Sequence, residues 1–370
     1  MLVSSRQKTS NHLTTEVRSN PTERYTLREK IGQGGFGYVY KAVDNITGEL
    51  VAAKLINLDE AGDELEDVQQ EVNIMSSSTC TQLTKYYASY LSGSQLWIVM
   101  EYLEAGSLAD MLLDEGPLDV ESVAYVMKEL LLAVAYLHGE RKIHRDIKAG
   151  NMLLSAAGNV KLADFGVTGQ LTESVSKRQT KVGTPYWMAP EVITEVCYDS
   201  LADIWSVGIT AIELCKGHPP YASNHHPMQA IFLIPKNPPP QLEGDFPSVL
   251  KNFVSSCLQK DPSNRSSAAA LLRHPFIMEA ASEPPVSLMQ RIETHLSIVK
   301  DGSTIDRILD QESRSNSRRS MVNRTTDSGW DFDTTLKKGL SAGGSNNDSI
   351  ASIPSHDDYG IIVMDSSSFA

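Results

Sequence analysis

Ile143-His144-Arg145-Asp146-Ile147-Lys148-Ala149-Gly150-Asn151 is the stretch on which the reading of the whole chain turns. It places a carboxylate, an ammonium and a carboxamide within the six residues 146–151. The pattern H-R-D-x-K-x-x-N suits phosphoryl transfer to a hydroxyl, with Asp146 accepting the hydroxyl proton and Asn151 holding a metal ion. A Ser or Thr hydroxyl is a poor nucleophile until its proton has somewhere to go, which is why a positioned carboxylate is needed. Lys148 can neutralise charge on the phosphoryl group during transfer.

Working outward, Asp164-Phe165-Gly166 follows Asn151 by thirteen residues. Alone it would read as a simple turn, but at this distance its carboxylate reads as a ligand for Mg²⁺ bridging ATP phosphates. Farther on, Gly183-Thr184-Pro185-Tyr186-Trp187-Met188-Ala189-Pro190-Glu191 ends in an A-P-E landmark that closes the segment begun at Asp164.

Upstream, Gly32-Gln33-Gly34-Gly35-Phe36-Gly37, with Val39 two residues on, fits G-x-G-x-x-G. Glycines let backbone N–H groups approach phosphate oxygens without a Cβ in the way. A dinucleotide-binding turn uses the same letters but lies between a strand and a helix; here the motif lies between two β-rich runs, so that reading fails. Lys54, in Val51-Ala52-Ala53-Lys54, falls on a third strand. Glu71 on the following helix can hold it against the α/β-phosphates. Two blander readings stand beside these: Lys54 snorkelling to water, and Glu71 on a solvated helix face.

The organisation around the motifs is a small sheet with one helix, followed by a helical lobe. Tyr25–Ile31, Gly37–Val43, Leu50–Leu55, Lys85–Leu91 and Gln95–Tyr102 read as strands, with Asp44-Asn45-Ile46-Thr47-Gly48 as a hairpin turn. Leu65, Val68, Val72 and Met75 recur at helical spacing, and Val120–His138 predicts a longer helix. A ligand would sit between the two parts. The first 22 residues form a polar lead-in expected to be disordered, and residues 278–370 a Ser/Asp/Asn-rich tail expected to be mostly disordered. A helix is expected near 285–309, where Val286, Leu288, Ile292, Leu296 and Ile298 could share a face.

Bulk properties exclude several classes. The net charge of −13 argues against general nucleic-acid binding. The longest apolar run, Leu130–Leu137, is far below the ~20 residues of a membrane span, and the N-terminus lacks a signal-peptide core. Cys80, Cys197, Cys215 and Cys257 show no metal spacing and read as reduced thiols of a cytoplasmic protein.

The order of motifs over residues 25–276 resembles the eukaryotic protein kinase family. The resemblance implies an α+β bilobal fold: a small lobe at 23–103 with a five-stranded antiparallel sheet and one main helix, and a mainly helical lobe at 104–277. It implies ATP and Mg²⁺ as cofactors and protein Ser/Thr hydroxyls as acceptors. Lys148 sets the chain apart from tyrosine kinases, and Thr184 agrees. The string Lys177–Val192 is similar to the sterile-20-like group, with germinal-centre kinases, their third subgroup and fungal relatives, nearest. Asp203 would brace the catalytic loop, and Arg265 would pair with Glu191. Thr180 would be the activating phosphorylation site, its phosphate meeting Arg145; the alternative is an ordinary loop threonine. Met100 would stand behind the adenine, Glu101 and Leu103 would offer backbone groups, and Ile31, Val39, Ala52 and Leu153 would sandwich the ring. With Gly32, Gly34, Gly37, Lys54 and Glu71 these make the nucleotide site. Ser107 departs from the pattern where a ribose-binding acid is usual, and Ser76–Gln82 lacks the expected His-Pro.

In the tail, Trp330 and Phe332 read either as an anchor for a scaffold or adaptor or as a cluster packed on the kinase itself; Ser320 after two arginines reads as a modification site or an accidental match. Homodimerisation stays open. Two rival functions remain: a pseudokinase scaffold, against which Lys54, Asp146, Asn151 and Asp164 all stand, and a small-molecule kinase, which lacks the A-P-E segment.

Overall fold

In a computed structural model of the chain, the described residues are 20–34, 37–61, 72, 75–164, 185–194, 199–300 and 363–364. Glu71, Phe165, Gly166, Thr180, Cys197, Leu309, Ser320, Trp330 and Phe332 lie outside them. Residues through Ile292, with Val363 and Met364, form one unit; the described part of a second unit is the helical stretch 293–300.

A short helix, α1 (Pro21–Arg24), capped by Asn20, leads into strand β1 (Tyr25–Gly34). Its first residues belong to the stretch expected to be lead-in. Strands β2 (Gly37–Asp44) and β3 (Leu50–Asn57) follow, then a one-turn helix, α2 (Leu58–Ala61). Strands β4 (Tyr86–Ser92) and β5 (Gln95–Glu101) complete the sheet, whose order is β1-β2-β3-β5-β4 with every pairing antiparallel. A sixth short strand, β8 (Val363–Met364), pairs with Ser89 and Tyr90 at the open edge of β4. The expected hairpin turn is closed by Asp44, whose Oδ1 accepts the Ile46 N–H at 2.9 Å. One face of the sheet is sealed by Tyr25, Ala42, Val51, Ala53, Tyr90, Trp97 and Val99.

The last glycine of the G-x-G-x-x-G run has a reason that belongs to the sheet. A Cβ on Gly37 would lie 1.8 Å from the Leu55 carbonyl oxygen, so β2 can cross β3 there only without a side chain. A Cβ on Gly32 would meet Val39 at an ordinary 3.6 Å.

The second lobe is built on helices. These are α3 (Leu108–Glu115), α4 (Val120–Gly139), α5 (Pro190–Ile193), α6 (Leu201–Lys216), α7 (Pro227–Leu233), α8 (Ser248–Cys257), α9 (Ala268–Leu271), α10 (Pro275–Met278) and α11 (Val286–Lys300). A small hairpin, β6 (Met152–Leu154) and β7 (Val160–Leu162), lies between α4 and α5. Asp119 caps α4, accepting the Ser122 N–H at 2.9 Å, and its apolar side, from Val123 to Leu137, is buried.

Helix α6 is apolar almost all round and buried from Ala202 to Cys215, as expected for a helix in the middle of a lobe. On one side Gly208 lets α8 close in; a Cβ there would come within 2.7 Å of Cys257 Cβ. On the other run four buried polar residues at helical spacing: Asp203, Ser206, Thr210 and Glu213. That stripe positions the site described next.

The expected pairing of Arg265 with Glu191 is present as a two-pronged bond of 2.7 and 3.1 Å. Arg265 also donates to the carbonyls of Leu201 and Gln259 and stacks 5.4 Å from the Trp205 ring. Its side chain is wholly buried, so removing the carboxylate leaves a charge with carbonyl partners only. Glu191→Ala should therefore cost about 3 kcal/mol, a large share of the 5–15 kcal/mol typical of a domain. Urea denaturation of the two proteins checks this; equal midpoints would contradict it.

Candidate active site

The catalytic-loop residues converge because one carboxylate fixes the loop backbone. Asp203, 1 % exposed, accepts the His144 N–H on Oδ2 and the Arg145 N–H on Oδ1, each at 2.9 Å. His138 Nε2 lies 2.9 Å from the same Oδ2. Arg145 is thereby held at φ 73°, a left-handed conformation costing a non-glycine residue about 1–3 kcal/mol. The turn it makes delivers Asp146.

Asp146 is gripped on one oxygen and open on the other. Its Oδ2 accepts from Lys148 Nζ and from Asn151 Nδ2, both at 2.8 Å. Its Oδ1 is buried and has no hydrogen-bond partner among the described residues. Asn151 Nδ2 also donates to the Asp146 carbonyl at 2.7 Å, which fixes the carboxamide's orientation. His144 underlies the loop: its Nδ1 accepts the Asp146 N–H, so Nε2 carries the proton donated to the Ala163 carbonyl at 3.2 Å. Burial keeps this imidazole below the usual histidine pKa, against the opposing pull of Asp203 and Asp146.

Across the cleft, Lys54 on β3 is 8 % exposed, and its Nζ lies 2.9 Å from Asp164 Oδ1. The Lys54 ammonium holds the Asp164 carboxyl below the ordinary aspartate range, although half of that side chain reaches solvent. Asp164 itself stands at φ 53°, and the Ala163 N–H before it donates to the Asn151 carbonyl at 2.8 Å. Asp164 and Asn151 thus share one short stretch of backbone contacts. A carboxylate and a carboxamide oxygen suit a hard cation such as Mg²⁺, which takes its remaining ligands from phosphates and water.

The expected nucleotide walls are placed by sheet register. Val39 pairs with Lys54 and Gly32, and Ala52 pairs with Met100. Ala52, Met100 and Leu103 are buried, whereas Ile31 is exposed. Leu153 bridges to Ser107 at the entrance of α3. Gly34 lies on β1 opposite Gly37, and Glu101 ends β5 with its carboxylate 2.8 Å from Lys161.

Two residues of interest went unread in the sequence. Ser107 donates to Asp110 Oδ2 at 2.6 Å and accepts the Asp110 N–H at 3.2 Å. An acid therefore sits beside the position where one was missing; the S-x-x-D spacing of a helix cap was its signal. Glu213, near the far end of the α6 stripe, accepts the Ala149 N–H at 3.0 Å and the Trp187 indole N–H at 2.9 Å. It ties the catalytic loop to the stretch before Glu191. Ser206 adds a bond to the Trp187 carbonyl at 2.8 Å.

Burial raises Glu213 to a pKa of about 7. A carboxyl whose folded pKa lies above its unfolded value contributes stability at low pH that is lost as pH rises from about 4.5 through 7. Glu213→Gln keeps an acceptor oxygen without the ionisation. Its melting temperature relative to the wild type should accordingly rise between pH 6 and pH 8; a constant difference across that range, in a fluorescence melt, would count against the assignment.

Comparison with known proteins agrees with this geometry. The family described as protein kinase domain matches residues 25–277. Over 315 residues, 85 % of this chain, the sequence is 42 % identical to the serine/threonine-protein kinase sid1 of Schizosaccharomyces pombe, and the match spans 66 % of that relative's length. Members of this family use ATP with a divalent metal, generally Mg²⁺, and act on proteins. Nothing in these matches supports a non-catalytic scaffold. Among the described residues no helix is long and apolar enough to cross a membrane. With its loop, cleft and motif order in place, the chain belongs to the protein kinase family.

Proposed function

We propose that this chain transfers the γ-phosphate of ATP to Ser and Thr hydroxyls of cytoplasmic proteins, with Asp146 as the base. The observation that carries the reading is the asymmetry of Asp146: one oxygen tied by Lys148 and Asn151, the other buried and free of partners among the described residues. An incoming hydroxyl supplies the missing donor; its proton passes to Oδ1 as its oxygen bonds to the γ-phosphorus and the bond from that phosphorus to the β,γ-bridging oxygen breaks, with ADP leaving. Lys148 stays beside that oxygen pair and offsets the developing charge.

Asn151 spends both N–H groups on Asp146, which leaves its carboxamide oxygen, with Asp164, to hold Mg²⁺. The ion, when bound, neutralises phosphate charge. Lys54 would exchange Asp164 for the α/β-phosphates, with Glu71 steadying it. Gly32, Gly34 and Gly37 line the phosphate side. Ile31, Val39, Ala52, Met100 and Leu153 enclose the adenine, and Glu101 and Leu103 present backbone to its edge. Asp110 with Ser107 takes the ribose hydroxyls in place of the absent acid.

Arg145 supports a phosphate switch. Its Nε is buried with no hydrogen-bond partner among the described residues, an expensive state for a cation unless an anion completes it. Phosphorylated Thr180 would be that anion. Trp330 and Phe332 would serve as the tail's docking pair for a scaffold.

Asp146→Asn should lower kcat by about 10²–10⁴-fold and leave ATP affinity within roughly twofold; purified variant with retained turnover would remove Asp146 from the role of base. For the switch, Thr180→Ala and Arg145→Ala should each cut turnover about tenfold or more, and no further when combined. An active preparation that mass spectrometry finds wholly unphosphorylated at Thr180 would contradict it.

A further inference from the structure

Helix α11 begins beyond the residues matched by the kinase family, yet its first turns are fastened to the catalytic lobe. Leu288 and Ile292 are buried at 0 and 1 % exposure. Pro284 and Met289 cover the β6–β7 turn so closely that a Cβ on Gly158 would lie 2.7 and 2.6 Å from their side chains. Ser287 Oγ reaches Ser122 Oγ at 3.1 Å. The strongest tie is Arg291. It donates to the carbonyls of Glu115 and Pro117 at 2.6 Å and of Gly116 at 2.9 Å, with Nε 3.6 Å from the Glu115 carboxylate.

Those carbonyls are the C-terminal end of α3, where a helix leaves acceptors without donors and its dipole favours a cation. Arg291 supplies both. Helix α3 has only eight residues, about 12 Å of length, and so short a helix is not stable by itself. Its opposite end is Ser107, which caps it, bonds Asp110 and bridges to Leu153. A rigid rod of two turns therefore has one end at the ribose side of the cleft and the other in the grip of Arg291.

We propose that Arg291 is a positioning residue for the nucleotide: by clamping α3 from beyond the kinase domain it sets the affinity for ATP without taking part in transfer. This rests on the nucleotide cleft assigned above. In the full chain, Arg291→Ala should raise KM for ATP about threefold or more while kcat and KM for a peptide acceptor stay within about twofold. Amide exchange across 108–116 should quicken about tenfold, and Arg291→Lys, able to serve only some of the carbonyls, should fall between. If the alanine variant does not fold, Arg291→Met keeps the aliphatic stem and carries the same criteria. An unchanged KM for ATP despite faster exchange would overturn the inference, as would a parallel decline of kcat and both KM values, which a merely structural role produces. Lys54→Met, run alongside, separates the two readings. ATP affinity unaffected there removes the cleft assignment and this inference with it, whereas weakened ATP with Arg291→Ala at the wild-type KM removes this inference alone.

Discussion

The carboxylate of Asp203 is the constraint from which the active site follows. Two adjacent backbone N–H groups, of His144 and Arg145, need acceptors in the interior, and Asp203 takes one on each oxygen. With both bonds made, the backbone has no choice but to turn through the left-handed conformation at Arg145. The strain of about 1–3 kcal/mol is smaller than the loss from leaving two buried N–H groups beside an unpaired carboxylate. The bonds win, and Asp146 is aimed by a turn that no local preference would choose. Asp203 is in turn fixed by α6, which is buried from Ala202 to Cys215.

Helix α6 extends the same logic along its length. Burying Asp203, Ser206, Thr210 and Glu213 in an otherwise apolar helix costs free energy that hydrophobic replacements would not. What the polar groups supply is geometry. Asp203 holds the start of the catalytic loop; Glu213 holds Ala149 within it and Trp187 beyond it; Ser206 holds the Trp187 carbonyl. Thr210 donates to the Ser206 carbonyl inside the helix and needs no outside partner. The Arg265–Glu191 pair, with Arg265 also donating to the Leu201 carbonyl, ties α5 and the start of α6 to the stretch between α8 and α9. Each tie is a buried polar contact whose net stabilisation is modest, and together they fix the relative placement of loop and segment.

How much of this could be read in the sequence depends on whether a feature is local. The loop 143–151 has a spacing that hardly any other fold uses, so its chemistry was legible, and the strands and α4 announced themselves by periodicity. The Arg265–Glu191 pairing came through the family resemblance, since a sequence separation of 74 carries no local signal. Glu213 was missed because a glutamate near the end of an apolar helix reads as a solvent-facing residue. Only the fold reveals that Ala149 and Trp187 are waiting there. Asp110 was overlooked for a related reason: the sequence showed an acid missing at 107, and only the cap geometry brings the acid at 110 back to the same place. The packing of α11 was unreadable in kind. Val286 lies on the proposed apolar face and is exposed, while Leu288 and Ile292 are buried, because the helix is seated by contacts far away in sequence, of Met289 with Gly158, Ser287 with Ser122 and Arg291 with the end of α3.

The charges left over divide the site into a built part and a waiting part. Lys148 and Asn151 already satisfy one oxygen of Asp146, and Asp203 and Glu213 have their donors. These groups are set before any substrate arrives, so little reorganisation is required of them during transfer. The remaining charges are arranged otherwise. Lys54 meets Asp164, a contact that phosphates and a cation would each have reason to replace, and Arg145 keeps a buried N–H without an acceptor among the described residues. Under the proposed assignment the base is set before any substrate arrives, and control falls to the phosphates that would replace Asp164 at Lys54 and to the anion that would reach Arg145.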